Sequence, residues 1–304
     1  MSRKGWLLFL ALCVIWGMPY LLIRVAVREL SPPELVFFRT APAALLLAPL
    51  ALRRGELRPL LARWHWVVAY TVVELAVPWL LLSHAEQRLS SSMAGLLVAS
   101  VPLIAVVLSH AAGTADHLDA RRLAGLVVGF AGVAALVGID VGGTDPLAMA
   151  EVGVVALCYA TGPFVVSRRL AGLSSLGVVT ASLLLTAAGY APAALVDLPA
   201  SVSAQTVAAV ATLALVCTAT AFPLFFALIR EVGPSRSTVI TYVNPLVAVL
   251  LGVVLLGEPL TLGITVGMPL ILLGSVLGTA PSLKAPEKGA RGSGESQAAG
   301  PPTP

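Results

Sequence analysis

Charge is what this sequence has least of. Only 11% of its 304 residues are Asp, Glu, Lys or Arg, while 58% are apolar. Soluble domains carry about 25% charged residues, so a chain this lean in charge excludes a water-surrounded globular protein. Cysteine is scarce as well. Cys13, Cys158 and Cys217 all fall in apolar runs, and no Cys or His stands at ligand spacing. A disulfide framework and a metal centre are therefore excluded, and the three thiols are read as small packing residues. Catalytic patterns are missing too: no H-E-x-x-H, no G-x-S-G, no G-x-G-D and no pair of acids within one apolar run. Nor is there a G-x-x-x-x-G-K-[ST] loop, so no nucleotide drives this protein directly. The period-2 alternation of a membrane β-barrel is also absent.

What remains is length of apolar run. The mean hydropathy is +0.94, and a helix needs about 20 apolar residues to cross a hydrocarbon core. Ten such segments are predicted, at 5–27, 34–52, 64–84, 90–112, 122–140, 146–167, 171–196, 205–229, 236–256 and 260–280. The fold class expected is an all-α polytopic membrane protein of ten transmembrane helices. The connections are too short for a soluble domain, and 282–304, rich in Gly, Pro, Ser and Lys, is expected to be a disordered tail. Although Arg3 and Lys4 precede the first segment, it exceeds a signal-peptide core and has no small-x-small cleavage site. It is read as a retained first span.

Basic residues collect at cytoplasmic helix ends. With the N-terminus inside, the cytoplasmic set is Arg3, Lys4, Arg53, Arg54, Arg58, Arg63, Arg121, Arg122, Arg168, Arg169, Arg230, Arg236, Lys284, Lys288 and Arg291. That is fifteen of nineteen; only Arg24, Arg28, Arg39 and Arg88 fall elsewhere. Both termini are thus expected in the cytoplasm of a cell whose plasma membrane holds the chain. A pI near 9.2 then records topology, and no nucleic-acid partner is needed to explain it.

The chain also resembles itself. "LCVIWGMPYLLIR" (12–24) and "ALCYATGPFVVSR" (156–168) both carry a mid-run proline, followed at once by an aromatic and five residues later by an arginine, 144 residues apart. Pro78 matches Pro223, Pro102 in "ASVPLIAVVL" matches Pro245 in "YVNPLVAVLL", and Gly125 and Gly132 match Gly267 and Gly274. A duplicated unit of five segments must enter the membrane from opposite sides in its two copies. Two inverted five-helix repeats are therefore expected, at 5–140 and 146–280, the arrangement that places a site at the midplane. Mid-helix prolines would free the Ile15, Val98, Tyr159 and Thr241 carbonyls, which in lipid must find protein partners or cavity water. The glycines Gly125, Gly129, Gly132, Gly263, Gly267, Gly274 and Gly278 are read as close-packing positions of segments five and ten.

Ten segments as five plus five, Trp16-Gly17-Met18-Pro19-Tyr20 in the first, "PPELVFFRTAPAALLL" entering the second and "VNPLVAVLLGVVLLGEPLTLGITVGMPLILLGSVL" closing the last two resemble the EamA-type carriers of the drug/metabolite transporter superfamily. The first copy departs from the pattern: "GTADHLD" puts Asp116 where the second copy has Glu258. The resemblance implies a secondary carrier, not an enzyme, exporting amino acids or related metabolites by alternating access, with no cofactor. A lipid-carrier flippase on the same scaffold stays open, and a polytopic membrane enzyme stands behind both.

Candidate substrate-binding residues are Trp16, Tyr20, Arg39, Glu74, Trp79, Tyr159, Tyr242 and Asn244. A charge inside a span costs about 2.5–3.5 kcal/mol on insertion scales and marks function by default. Glu74 lies ten residues from both Trp64 and His84, at mid-depth, and suits a coupling proton or a substrate amine. Five residues into its segment, Arg39 can bind a substrate carboxylate, pair with Glu74 or snorkel to the surface. The aromatics near the prolines suit an amphipathic small molecule, and Asn244 offers both a donor and an acceptor. Glu151 reads as a helix-dipole residue, His84 as solvated at a membrane interface, and Arg24 and Arg168 as interface anchors.

Overall fold

A computed structural model describes residues 2–113, 119–139, 145–196, 198–233 and 237–279. The expectations for Asp116, Arg236 and the tail at 282–304, with its Lys284, Lys288 and Arg291, lie outside the described residues. Everything described is helix, turn or loop; no strand occurs among these residues. Among the described residues nine helices are long and apolar enough to cross a membrane: α1 (Arg3–Ala26), α2 (Pro32–Arg53), α3 (Arg58–Ala85), α4 (Ser91–Ala111), α5 (Ala120–Ile139), α6 (Pro146–Arg169), α7 (Ser175–Ala194), α8 (Ala204–Val232) and α10 (Leu262–Thr279). The shorter α9 (Ile240–Leu256) is equally apolar. All ten expected segments are present. The largest shift is in α3, which begins six residues early because Arg58–Arg63 winds as a 3-10 turn.

Helix starts follow from side chains that can replace lost backbone partners. Ser2, Ser90, Ser174 and Ser203 each accept a backbone N–H three residues ahead. Asp145 accepts two, before Pro146, and Ser31 forms a capping box with Glu34 before Pro32.

Hydrogen bonds between helix ends define two faces. On the terminal face Ser2 Oγ donates to Glu231 Oε1 (2.5 Å), the Arg63 guanidinium to the Arg169 and Ala171 carbonyls, and Ser174 Oγ to Glu56 Oε2 (2.7 Å). Tyr242 meets Thr279 there at 2.5 Å. On the opposite, far face Ser203 N–H donates to Glu29 Oε2 (2.7 Å), and Arg88 binds Asp145 and Glu151. Many large apolar side chains point outward, such as Leu45 (70% exposed) and Val207 (57%), which is a lipid-facing surface.

Helices α5 and α10 meet through glycine. A Cβ on Gly132 would lie 2.7 Å from the Ile271 backbone nitrogen, and one on Gly125 or Gly274 would overlap the facing backbone. Such contact substitutes small-residue packing for the hydrophobic effect, which gives helices no drive to associate in lipid. Replacing Gly274 with leucine is expected to reduce detergent-extracted monodisperse protein at least several-fold, measured by fluorescence-detected size exclusion.

Pro163 and Pro245 lie within the continuous helices α6 and α9, whereas four other prolines disturb their helices in two ways. In α1 the helix interrupts at Met18, ahead of Pro19, and in α4 at Ala99–Ser100, ahead of Pro102. In α3 and α8 a π-helical turn precedes the proline instead: Val72–Ala76 before Pro78 and Leu215–Thr220 before Pro223. Each inserts an extra residue where the proline withdraws a donor. Hydroxyls answer several exposed carbonyls, Tyr190 on Ala76 (2.9 Å) and Ser275 on Ala99 (3.4 Å) among them.

Candidate functional site

The two π-helical turns carry the polar groups of the interior. That of α3 holds Glu74; that of α8 holds Thr218, 144 residues later, and Thr218 is fully buried. Between them α2 delivers Arg39, only 8% exposed. Its Nε donates to Thr218 Oγ1 (3.2 Å), and its guanidinium carbon stacks 3.6 Å from the centre of the Trp79 ring. One side chain thus joins α2, α3 and α8. Among the described residues no carboxylate lies within ion-pair distance of Arg39, and Nη1 and Nη2 make no hydrogen bond. The alternatives of snorkelling and of pairing with Glu74 are both overturned. The ring of Trp79 and the hydroxyl of Thr218 give the guanidinium an inward position that water at the surface would otherwise supply.

Tyr159, on α6, lies against the Trp79 indole and within electrostatic reach of both Arg39 and Glu74. Tyr20, on α1, reaches Tyr159 and Arg39 and packs on Gly95 of α4. Glu74 presses on α6 at Gly162, where an added Cβ would overlap its carboxylate, and Oε2 has no hydrogen-bond partner among the described residues. Five of the eight expected residues, Tyr20, Arg39, Glu74, Trp79 and Tyr159, therefore surround one interior region.

The other three stand apart. Trp16 packs edge-on to Phe222 (6.1 Å) and tilted on Phe225 (4.8 Å) of α8. Asn244, with its amide nitrogen turned to the carbonyls, donates to Ile240 (2.9 Å) and Cys13 (3.3 Å), fastening α9 to α1. Tyr242 sits at the terminal face on Thr279. Below Thr218 on α8, Pro223, Phe226, Ile229 and Arg230 line a cavity of about 390 Å³, closed on its other side by Arg54, Glu56 and Ser174. It lies toward the terminal face.

On the far face α3 and α6 are tied side by side. Arg88 Nη2 bonds Glu151 Oε2 (2.6 Å), Arg88 Nη1 bonds Asp145 Oδ2 (3.1 Å), and His84 Nδ1 lies 2.6 Å from Glu151 Oε1. His84 and Glu151, expected as a solvated residue and a dipole residue, form one α3–α6 ion-pair cluster. Arg24, expected as an interface anchor, turns inward and donates to the Glu86 carbonyl. The N–H of Ala148 and then of Leu147, with Arg88, hold the Asp145 carboxyl below the usual carboxylate range. The Ser203 N–H does the same for Glu29. Both ties hold at neutral pH and loosen only as pH falls through those depressed values.

Sequence reading missed Thr218 and Glu86. Thr218 had a signal, since it occupies the place of Glu74 at the same 144-residue offset as the prolines. Glu86 had none, because it falls two residues past the expected end of its segment.

The family model described as the EamA-like transporter family matches the chain twice, over residues 3–138 and 151–279. The chain is 32% identical over 298 residues to YedA of Escherichia coli strain K12, named as an uncharacterized inner membrane transporter, across 91% of this chain and 93% of that one. An uncharacterized transporter of Archaeoglobus fulgidus is 25% identical over 277 residues, across 89% and 97%. A solved crystal structure, 22% identical, matches with a TM-score of 0.64 over 92% of this chain and 97% of that one. At that identity the likeness speaks for the fold alone.

Proposed function

The chain belongs to the EamA-like transporter family, and from that premise we propose that it is a secondary carrier exporting small amphipathic metabolites, amino acids among them, by alternating access. One observation carries this reading: Arg39 is buried with its two terminal nitrogens making no hydrogen bond among the described residues, across Tyr159 from Glu74, whose Oε2 has no partner among them either. A zwitterion fits that pair, carboxylate to the guanidinium fork and ammonium to Glu74, with Tyr20, Trp79 and Tyr159 around its apolar part. Trp16, Tyr242 and Asn244 serve the helix framework in this reading.

We further infer two inverted repeats, 5–140 and 146–280. Paired prolines, paired π-helical turns and the double family match support them. The cavity at the terminal face, together with the tied far face, corresponds to a carrier open toward the terminal side. With fifteen basic residues assigned there, that side is cytoplasmic. An impermeant maleimide added to whole cells is expected to label Ser201→Cys, and to label Ala171→Cys only after permeabilisation. The reverse pattern would invert the topology.

A second reading has its own support. Leu30, Phe38, Pro42, Thr206, Val210 and Leu215 border an apolar groove of about 340 Å³ between α2 and α8, one residue from Arg39 on one wall. A lipid-linked solute could place its chain there, as a flippase requires. Proteoliposomes decide between them: uptake of labelled amino acids into inside-out vesicles supports the first reading, and loss of a fluorescent lipid from the far leaflet the second.

A further inference from the structure

Glu86 is the most deeply sealed acid among the described residues: 0% exposed, with neither carboxylate oxygen meeting a hydrogen-bond donor. It directly follows α3 at the far face, and the groups around it come from several helices. Arg24 on α1 donates to its backbone carbonyl, leaving the carboxylate unserved. Glu258, beyond the end of α9, stands close enough to repel it, and Arg39 on α2 and Tyr20 on α1 are within electrostatic reach of it. On its own element, His84 and Arg88 are committed to Glu151 and Asp145. Four helix ends meet here, because Glu258 also caps α4. Its Oε1 accepts from Ser91 N–H (2.7 Å), and its Oε2 from Ser92 N–H (2.9 Å) and Ser92 Oγ (2.5 Å). Gly257 makes this reach possible, since its φ of 66° turns the chain back at the end of α9 in a conformation that side chains resist.

We propose that Glu86 is a proton-binding site that latches the far-face gate: the protonated residue permits α1, α3, α4 and the end of α9 to close, and its ionisation opens them. Burial without donors disfavours the ionised carboxylate most; the Arg24 and Arg39 guanidinium charges offset part of this, and the Glu258 carboxylate adds to it, so the acid stays well above its ordinary value. The neutral acid is tolerated. Opening admits water, and one proton passes from the Glu86 carboxyl to that water with no other bond changed.

The proposal rests on the carrier reading, yet its test needs no substrate. Leu89→Cys, 2% exposed in the parent at the α3–α4 turn, reports gate opening by labelling with an impermeant maleimide. Exposed Ser201→Cys in a parallel sample corrects for thiol ionisation. In right-side-out vesicles the corrected labelling is expected to rise about fivefold or more as pH is raised from the ordinary carboxylate range into the alkaline, the direction set by the burial of Glu86. With Glu86→Gln it stays low throughout. Glu86→Asp, which retains a titrating group, shifts the midpoint without flattening the profile and serves if the Gln variant does not reach the membrane. The latch is overturned by a flat profile in the parent, by a parental profile in Glu86→Gln, by an unshifted one in Glu86→Asp, or by a response that follows Na⁺ at fixed pH. Failure of the carrier reading would instead appear as absent transport with the labelling profile intact.

Discussion

Arg39→Lys is expected to lower transport by at least tenfold, although it preserves the charge. The guanidinium does three things at once: Nε holds Thr218 at 3.2 Å, its carbon lies 3.6 Å from the centre of the Trp79 ring, and the two remaining nitrogens make no hydrogen bond among the described residues, which leaves them for a substrate in the proposed reading. Lysine can do only one of these, because its ammonium is a compact point charge without a plane. A hydrogen bond to a charged group contributes about 1.5–3 kcal/mol net, so losing one arm of the fork corresponds to about tenfold or more. Measurement is by initial rates in proteoliposomes, with protein yield checked by size exclusion. Thr218→Val removes only the Nε partner and is expected to cost less than Arg39→Lys. Equal rates for Arg39→Lys and parent would leave Arg39 as a structural cation.

Much of this fold was legible because lipid narrows the choices. Ten apolar runs could only be helices, and the glycines of segments five and ten read as close-packing positions; that α5 and α10 meet each other, where an added Cβ would strike backbone, is what the structure adds. Depth was legible too, since counting residues placed Glu74 and Arg39 inside the span. Rotation about the helix axis was not. In a run that is apolar on every side, nothing tells which face meets protein and which meets lipid, so Tyr242 and Asn244 looked equivalent to Tyr159. One caps a helix pair at the surface, one fastens α9 to α1, and only the third reaches the interior. The π-helical turns were likewise invisible. Each re-phases its helix by an inserted residue, turning Glu74 toward Gly162 and Thr218 toward Arg39 in a way that a uniform 3.6-residue count cannot anticipate. Glu86 was lost for a simpler reason. It falls outside the expected run, and only the meeting of four helix ends seals it.

Glu74→Gln and Gly162→Ala should converge on the same defect by different routes, and that convergence is the sharpest test of the interior site. The glutamine keeps the shape of the side chain but removes the charge that faces an ammonium group. The alanine leaves the carboxylate chemically intact, yet its Cβ would overlap that carboxylate and force it from its place on α6. If Glu74 receives the substrate's amine, each change lowers transport of zwitterionic solutes by about tenfold or more, the worth of one charged hydrogen bond in a water-poor site. Neither alters the pH profile of Leu89→Cys labelling, since the latch lies at the far face on another carboxylate. Glu86→Gln gives the converse, a flat gate profile with the interior pair untouched. Transport at parental rates in both Glu74→Gln and Gly162→Ala would reduce Glu74 to a buried structural acid and leave recognition to Arg39 and the rings of Tyr20, Trp79 and Tyr159.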